Sequence, residues 1–378
     1  MTDTEYKKSL QEIIYLCSCA INGIEPQADR VKDIKLDRLY EASQKHMLTA
    51  MVGQVLKGVG ISSPKLKDAI ALAQRKAVIL NNDLANVTSA LETAGIWYMP
   101  LKGTVLKNLY PCFAMREMAD VDVLFDADRA DDVKNIMENL EFQIKVYGKT
   151  NDDDYIKSPL SNFEMHRALF GERHDQKLYE YYRNVKDRLL KDVGNQYGYH
   201  FSPEDFYIFM IAHEYKHYSS EGTGLRSLLD TYVFLQKNTL DMGYVEAETA
   251  KLGINNYERL NRSLAQKLFS KDGGKLTAGE DKMFDYIISS GTYGTLEHKI
   301  DNTGGKIKYF VRRVFGPIGK NDPDRDHFRK TYATFFNHPI LLPLLPFYRL
   351  FKALKTSPKR IKAEANALRK AGKADDAR

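Results

Sequence analysis

The chain has 378 residues, with 56 Lys and Arg against 50 Asp and Glu, a formal net charge of +6, and it is 43% apolar and 28% charged. At roughly 100–200 residues per domain this predicts two or three domains with a buried core, and it excludes a fibre, a disordered tail or a mini-protein held by disulfide or metal staples. The charge is uneven: Thr303 to Arg378 holds 18 basic and 6 acidic residues, net +12, which leaves residues 1 to 302 at −6. An argument from positive charge therefore concerns the C-terminal segment alone. Cys17, Cys19 and Cys112 are an odd set with no spaced framework, as expected of a reducing compartment. Cys17 and Cys19 fall two apart on a predicted helix and read as buried thiols. The N-terminus lacks the apolar run of a signal peptide. No stretch reaches the ~18–20 uninterrupted apolar residues of a spanning helix. A cytoplasmic protein is expected.

In chain order, residues 4 to 94 show apolar side chains at three- and four-residue spacing, and Gly95 closes the last predicted helix. Ile96 to Leu101 reads as a strand, Lys102-Gly103 as a turn, and GTVLKNLY as a following helix. Ala119 to Phe125 alternates: Val121, Val123 and Phe125 point one way, and Asp120, Asp122 and Leu124 the other. A helix over RADDVKNIMENLEF, a strand over QIKVYGK and an acidic turn at Asn151 to Asp154 follow. In SNFEMHRAL, Phe163 and Met165 alternate with Glu164 and His166, so a third carboxylate projects from another strand. Beyond about Tyr179 the pattern is helical to the end, with breaks at Gly222 to Gly224 and Gly316 to Asp326.

Phosphoryl and nucleotidyl transfer uses divalent cations that take carboxylate oxygens from few protein ligands. Asp120 and Asp122 on one strand offer two, about 7 Å apart along the backbone. By itself Asp-x-Asp equally describes the polar face of a half-exposed strand. Two neighbours raise it: a small-residue turn opening a helix about 17 residues upstream, and Glu164 on a second strand. Glycine at such a turn lets backbone N–H groups approach an anion at a helix start.

The series PLKGTVLKNLYP, REMADVDVLF, FEMHRAL and HEYKHYSSEGTGLRSLLD resembles the family of uncharacterised nucleotidyltransferases in the DNA polymerase β-like nucleotidyltransferase superfamily. The resemblance covers roughly Leu80 to Leu235. It implies that Lys102 and Gly103 form the nucleotide-binding turn, that Arg116 is the arginine before Asp-x-Asp, and that Asp120, Asp122 and Glu164 are catalytic metal ligands. The single Gly103 departs from the superfamily's Gly-Ser pair. The implied reaction uses two Mg2+ ions, with a nucleoside triphosphate as co-substrate. A nucleoside monophosphate moves to a hydroxyl of a small molecule or protein, while Lys102 and Arg116 neutralise phosphate charge. His166 reads either as an orienting residue or as a polar-face histidine.

A competing motif is His213-Glu214-Tyr215-Lys216-His217, a literal H-E-x-x-H. Histidines at i and i+4 share a helix face and can bind zinc, with the glutamate as general base. The metzincin extension is missing, since Ser220 and Thr223 stand where Gly and His would be, and Asp230 is the nearest candidate third ligand. On the family resemblance, Lys216 and Arg226 instead reach the triphosphate from the helical part. The readings left open are this nucleotide site, a zinc hydrolase, structural packing, and a non-catalytic nucleotide-binding accessory protein. In the C-terminal segment, KIKYFVRRVFG and HPILLPLLPFYRLFKALK interleave basic and apolar residues. They read as a helix packed on the core with a basic outer side, as a peripheral membrane or protein contact, or, less favoured, as a nucleic-acid surface.

The expected architecture is α+β: N-terminal helices over residues 1–79, a nucleotidyltransferase core with a small mixed sheet over 80–175, a helical domain over 176–302, and a basic helical region over 303–378.

Overall fold

The computed structural model describes residues 1–172, 176–317, 322, 325–356 and 358–375. The expected break at Gly316 to Asp326 lies in large part outside the described residues, as do the last three residues of the tail. The fold is α+β, a five-stranded mixed sheet set among helices.

The first helix, Asp3–Asn22, starts at a capping box formed by Thr2 and Glu5 and stops at Gly23, whose φ of 64° only glycine adopts at little cost. Further helices at Leu36–Lys45, Thr49–Gly58 and Pro64–Thr93 lead to the sheet. The last begins where Ser63 caps it and Pro64 fits the first turn. Its Leu80, Val87 and Leu91 cover one face of the sheet. Gly95, at φ 67°, then turns the chain into the first strand.

The strands are β1 (Tyr98–Pro100), β2 (Val121–Phe125), β3 (Gln143–Val146), β4 (Asp152–Lys157) and β5 (Ser161–His166), in the order β1-β2-β5-β4-β3. β2 runs parallel to β5, and every other neighbouring pair is antiparallel. The alternation read in β2 is the one observed. Val121, Val123 and Phe125 join Phe163, Met165 and Tyr155 in a core under Pro64–Thr93 and Ala130–Asn139, while Leu124 enters a second, larger core. That second core is shared by the N-terminal helices and helices that follow the sheet, with Leu10, Ile13 and Leu16 in one cluster with Leu228, Leu229 and Leu264.

Three local expectations need correcting. The stretch Asn151 to Asp154 is not a turn: β4 begins at Asp152, because Asp153 and Tyr155 bury on one face while Asp152 and Asp154 pair across to β5. The helix after β1 is only Lys102–Leu106, continued by a single 3-10 turn at Lys107–Leu109, and the left-handed residue is Lys102 (φ 47°), with Gly103 following it. Residues beyond Tyr179 are not all helical, since a two-stranded ladder, β6 (Leu190–Lys191) with β7 (Tyr199–His200), closes around Gly194 at φ 87°. Glu92 holds that loop by accepting the N–H groups of Gln196 and Tyr197.

The remaining helices include Pro203–Ser220 and Leu225–Lys237, separated at Gly222 to Gly224 as the sequence indicated. No helix among the described residues is long and apolar enough to cross a membrane.

Candidate active site

Residues paired across a sheet share a face, so the register gathers carboxylates from three strands. Asp122 of β2 pairs with Glu164 of β5, which pairs with Asp154 of β4. In the next row Leu124 pairs with His166, and His166 with Asp152. The result is an acidic row, of which Asp122, Glu164 and Asp152 line a cleft of about 480 Å³. Two sets of potential ligand atoms lie within 4.8 Å of one another: Asp122, Glu164 and His166, and Asp152, Asp154 and Glu164. Glu164 belongs to both.

Lys102 points into this row. Its Nζ donates to Oδ1 of Asp122 at 2.7 Å and lies 4.0 Å from Glu164. The left-handed backbone of a lysine costs on the order of 1 kcal/mol, and the ion pair, four-fifths withdrawn from solvent on the lysine side, helps offset it. Nε2 of His166 lies 2.9 Å from the same Asp122 oxygen, while its buried Nδ1 has no protein partner.

The row is electrostatically divided. Burial and the charges of Asp122 and Asp120 push the Glu164 carboxyl up to about 8. Asp122 moves the other way: burial opposes its charge, but Lys102 and His166 outweigh it and hold the carboxyl well below the usual range. Asp120, just before β2, is raised by burial and by Asp122. Neighbouring carboxyls whose surroundings push them in opposite directions are a feature of sites of proton and metal chemistry.

The donor set suits a hard divalent cation, since carboxylate oxygens dominate and the ammonium of Lys102 already occupies a cationic position among them. Asp120 lines the cleft but belongs to neither close ligand set. Asp152 and Asp154 are the residues that sequence reasoning missed; DDDYIK offers no apolar alternation, since Tyr155 and Ile156 are adjacent and the buried partner of Tyr155 on its face is Asp153.

Arg116 is buried and committed. Its Nε and Nη2 donate to the two oxygens of Asp230 at 2.8 and 2.7 Å, and the Tyr110 hydroxyl donates to the same carboxylate at 2.7 Å. Asp230 is likewise engaged, which removes it as a ligand for His213 and His217. Gly103 makes room for the guanidinium: a Cβ there would stand 2.3 Å from Nη1 of Arg116. The glycine is needed for close approach rather than for a left-handed turn.

The opposite wall comes from Pro203–Ser220 and the start of Leu225–Lys237. His213, Lys216, His217 and Arg226 all line the cleft. Arg226 donates to the carbonyl of Glu117 at 2.8 Å. Nε2 atoms of His213 and His217 are 3.3 Å apart. Burial and the positive charges around them hold both imidazoles low, His217 at about 4. Among the described residues no third His, Cys, Asp or Glu joins this pair within ligand distance. Glu214 accepts from Asn261 at 2.9 Å, and burial pushes its carboxyl up to about 7. The H-E-x-x-H spacing thus puts two histidines on the cleft wall without assembling a zinc site.

The family described as uncharacterised nucleotidyltransferase matches residues 32–270. The chain belongs to this nucleotidyltransferase family. The match spans the sheet and the helices Pro203–Ser220 and Leu225–Lys237, so the acidic row and the Arg116–Asp230 pair fall inside the matched region. No match is found among curated proteins or among solved structures.

Proposed function

We propose that this nucleotidyltransferase moves a nucleoside monophosphate from a nucleoside triphosphate to a hydroxyl of a small molecule or a protein, with Mg2+. The observation that carries the proposal is the cross-strand row Asp122–Glu164–Asp154, of which Asp122 and Glu164 face Lys102 in one cleft. Asp122, Glu164 and His166 fit one cation and Asp152, Asp154 and Glu164 a second, with Asp120 contributing from the edge of the row. When bound, such ions neutralise triphosphate oxygens and lower the pKa of the attacking hydroxyl.

In the reaction the acceptor oxygen forms a bond to the α-phosphorus as the bond to the α–β bridging oxygen breaks, and pyrophosphate leaves. Glu164, which would be a bare carboxylate once a cation has displaced its own proton, is the group placed to take the acceptor proton. Lys102, released from Asp122 by the incoming charge, is placed to meet a phosphate oxygen, and Lys216 and Arg226 supply positive charge from the other wall. Arg116 keeps its grip on Asp230 and shapes the turn at Gly103 rather than contacting phosphate through those donors.

The test is incubation with each α-labelled nucleoside triphosphate, Mg2+ and an acceptor-containing extract, following label transfer and pyrophosphate release together. Asp122→Ala should reduce both by at least about a hundredfold, the scale on which removal of a group stabilising transition-state charge acts. Undiminished transfer by that variant would refute the assignment of the site.

A further inference from the structure

The C-terminal helices leave apolar faces in water that packing on the core, one of the readings of this segment, would have covered. In the helix Leu345–Thr356, Phe347, Leu350, Phe351 and Leu354 follow the i, i+3, i+4, i+7 spacing of one helix face. They are 72%, 52%, 69% and 51% exposed, while only Leu345 of that helix is buried. The helix Lys306–Phe315 repeats the arrangement, with Ile307 at 83% and Phe310 at 53%. Both helices pack on each other, and Arg349 of one donates to the carbonyl of Val314 of the other at 2.9 Å. Scattered exposed apolar residues need no explanation, but two periodic stripes on adjoining helices do.

Charge selects the occupant. Lys308, Lys352 and Lys355 are exposed on these helices, within the segment that carries net +12. A second copy docking through this face would bring like charge against like. We infer that the paired helices Lys306–Phe315 and Leu345–Thr356 form a docking surface for an anionic membrane, the aromatic and leucine side chains entering the boundary between headgroups and acyl chains while the lysines meet lipid phosphates. Short amphipathic helices with basic flanks bind membranes by this combination of buried apolar area and electrostatic attraction. The absence of a spanning helix among the described residues makes this a surface contact. The inference stands apart from the proposed reaction.

The experiment is sedimentation of the full chain with vesicles of phosphatidylcholine alone or with one-third phosphatidylserine. Binding is expected to the anionic vesicles only, and to weaken with added salt. Phe347→Glu with Phe351→Glu should abolish it, and Lys352→Gln or Lys355→Gln should each weaken it roughly fivefold. Val193→Glu, at another exposed apolar position, should bind as the unaltered protein does. Unchanged thermal unfolding of the variants establishes that they remain folded. The inference is overturned by equal binding to neutral vesicles, by no binding to either, or by retention of binding in the Phe347 and Phe351 variant. It is also overturned if the face instead mediates a concentration-dependent dimer, lost on Phe347→Glu, with no vesicle binding.

Discussion

Gly103→Ala offers a sharp test of how the cleft is built. The added methyl would sit 2.3 Å from Nη1 of Arg116, far inside the ~3.5–4.0 Å of an ordinary contact. Arg116 cannot easily withdraw, since it is tied to Asp230 by bonds of 2.8 and 2.7 Å in a pair less than one-tenth exposed on either side. If the turn yields, the cost is that of overpacking, about 1–3 kcal/mol. If the guanidinium yields, a buried ion pair is broken at about 3–5 kcal/mol. We expect a loss of about 2–4 kcal/mol, between these limits, read as a lower urea midpoint with an unchanged slope. The decisive comparison uses a background of Tyr110→Phe, Arg116→Met and Asp230→Leu, which removes the obstacle, its counter-charge and the hydroxyl bound to it together. Because the backbone at Gly103 lies outside the left-handed region, alanine is tolerated there once the guanidinium is gone. In that background the substitution should cost under about 0.5 kcal/mol, with reduced unfolded-state entropy slightly favouring alanine. Equal costs in both backgrounds would refute the claim that Arg116 imposes the glycine.

Two further outcomes follow from the carboxyls that burial raises. A divalent cation must displace the proton of Glu164, held at about 8, so Mn2+ affinity should tighten by nearly tenfold per pH unit between about pH 6 and 8 and level off above; calorimetry showing a flat profile, or the same slope in Glu164→Gln, would contradict this. In the metal-free chain the sign for stability is opposite: with a folded pKa above the ordinary 4.5, the contribution of Glu164 is full below that value and lost as pH rises through 8. Glu214, raised to about 7 by burial, obeys the same rule, so Glu214→Gln should be more stable than the unaltered protein above pH 7 while retaining transferase activity. Stoichiometric zinc that is lost on His213→Ala, with activity abolished in Glu214→Gln, would favour the hydrolase reading instead.

Much of the sheet was legible because alternation at period two survives burial. Val121, Val123 and Phe125 against Asp122 and Leu124, and Phe163 and Met165 against Glu164 and His166, settle both strands and the facing of their carboxylates. β4 was not legible, since Asp152-Asp153-Asp154 has the composition of a turn and becomes a strand only through its pairing with β5. The partnership of Arg116 with Asp230 spans 114 positions and leaves no local trace. Nor does spacing reveal that Lys102 takes the left-handed backbone, or that Gly103 serves a guanidinium. The C-terminal stripes were visible as periodicity, but what covers an apolar face is a tertiary fact, and here that face is open to solvent.

The Arg116–Asp230 pair also has a consequence for biosynthesis. All five strands have been made before Asp230 is added to the growing chain, and until then the arginine beside the turn has no counter-charge. Domains tend to fold in order as they emerge, at about 5–20 residues per second. The sheet of this protein therefore has an interval of several seconds in which its strands exist but its cleft does not, and the cleft is closed only after Leu225–Lys237 and, later still, Thr292 and Tyr293 have been made.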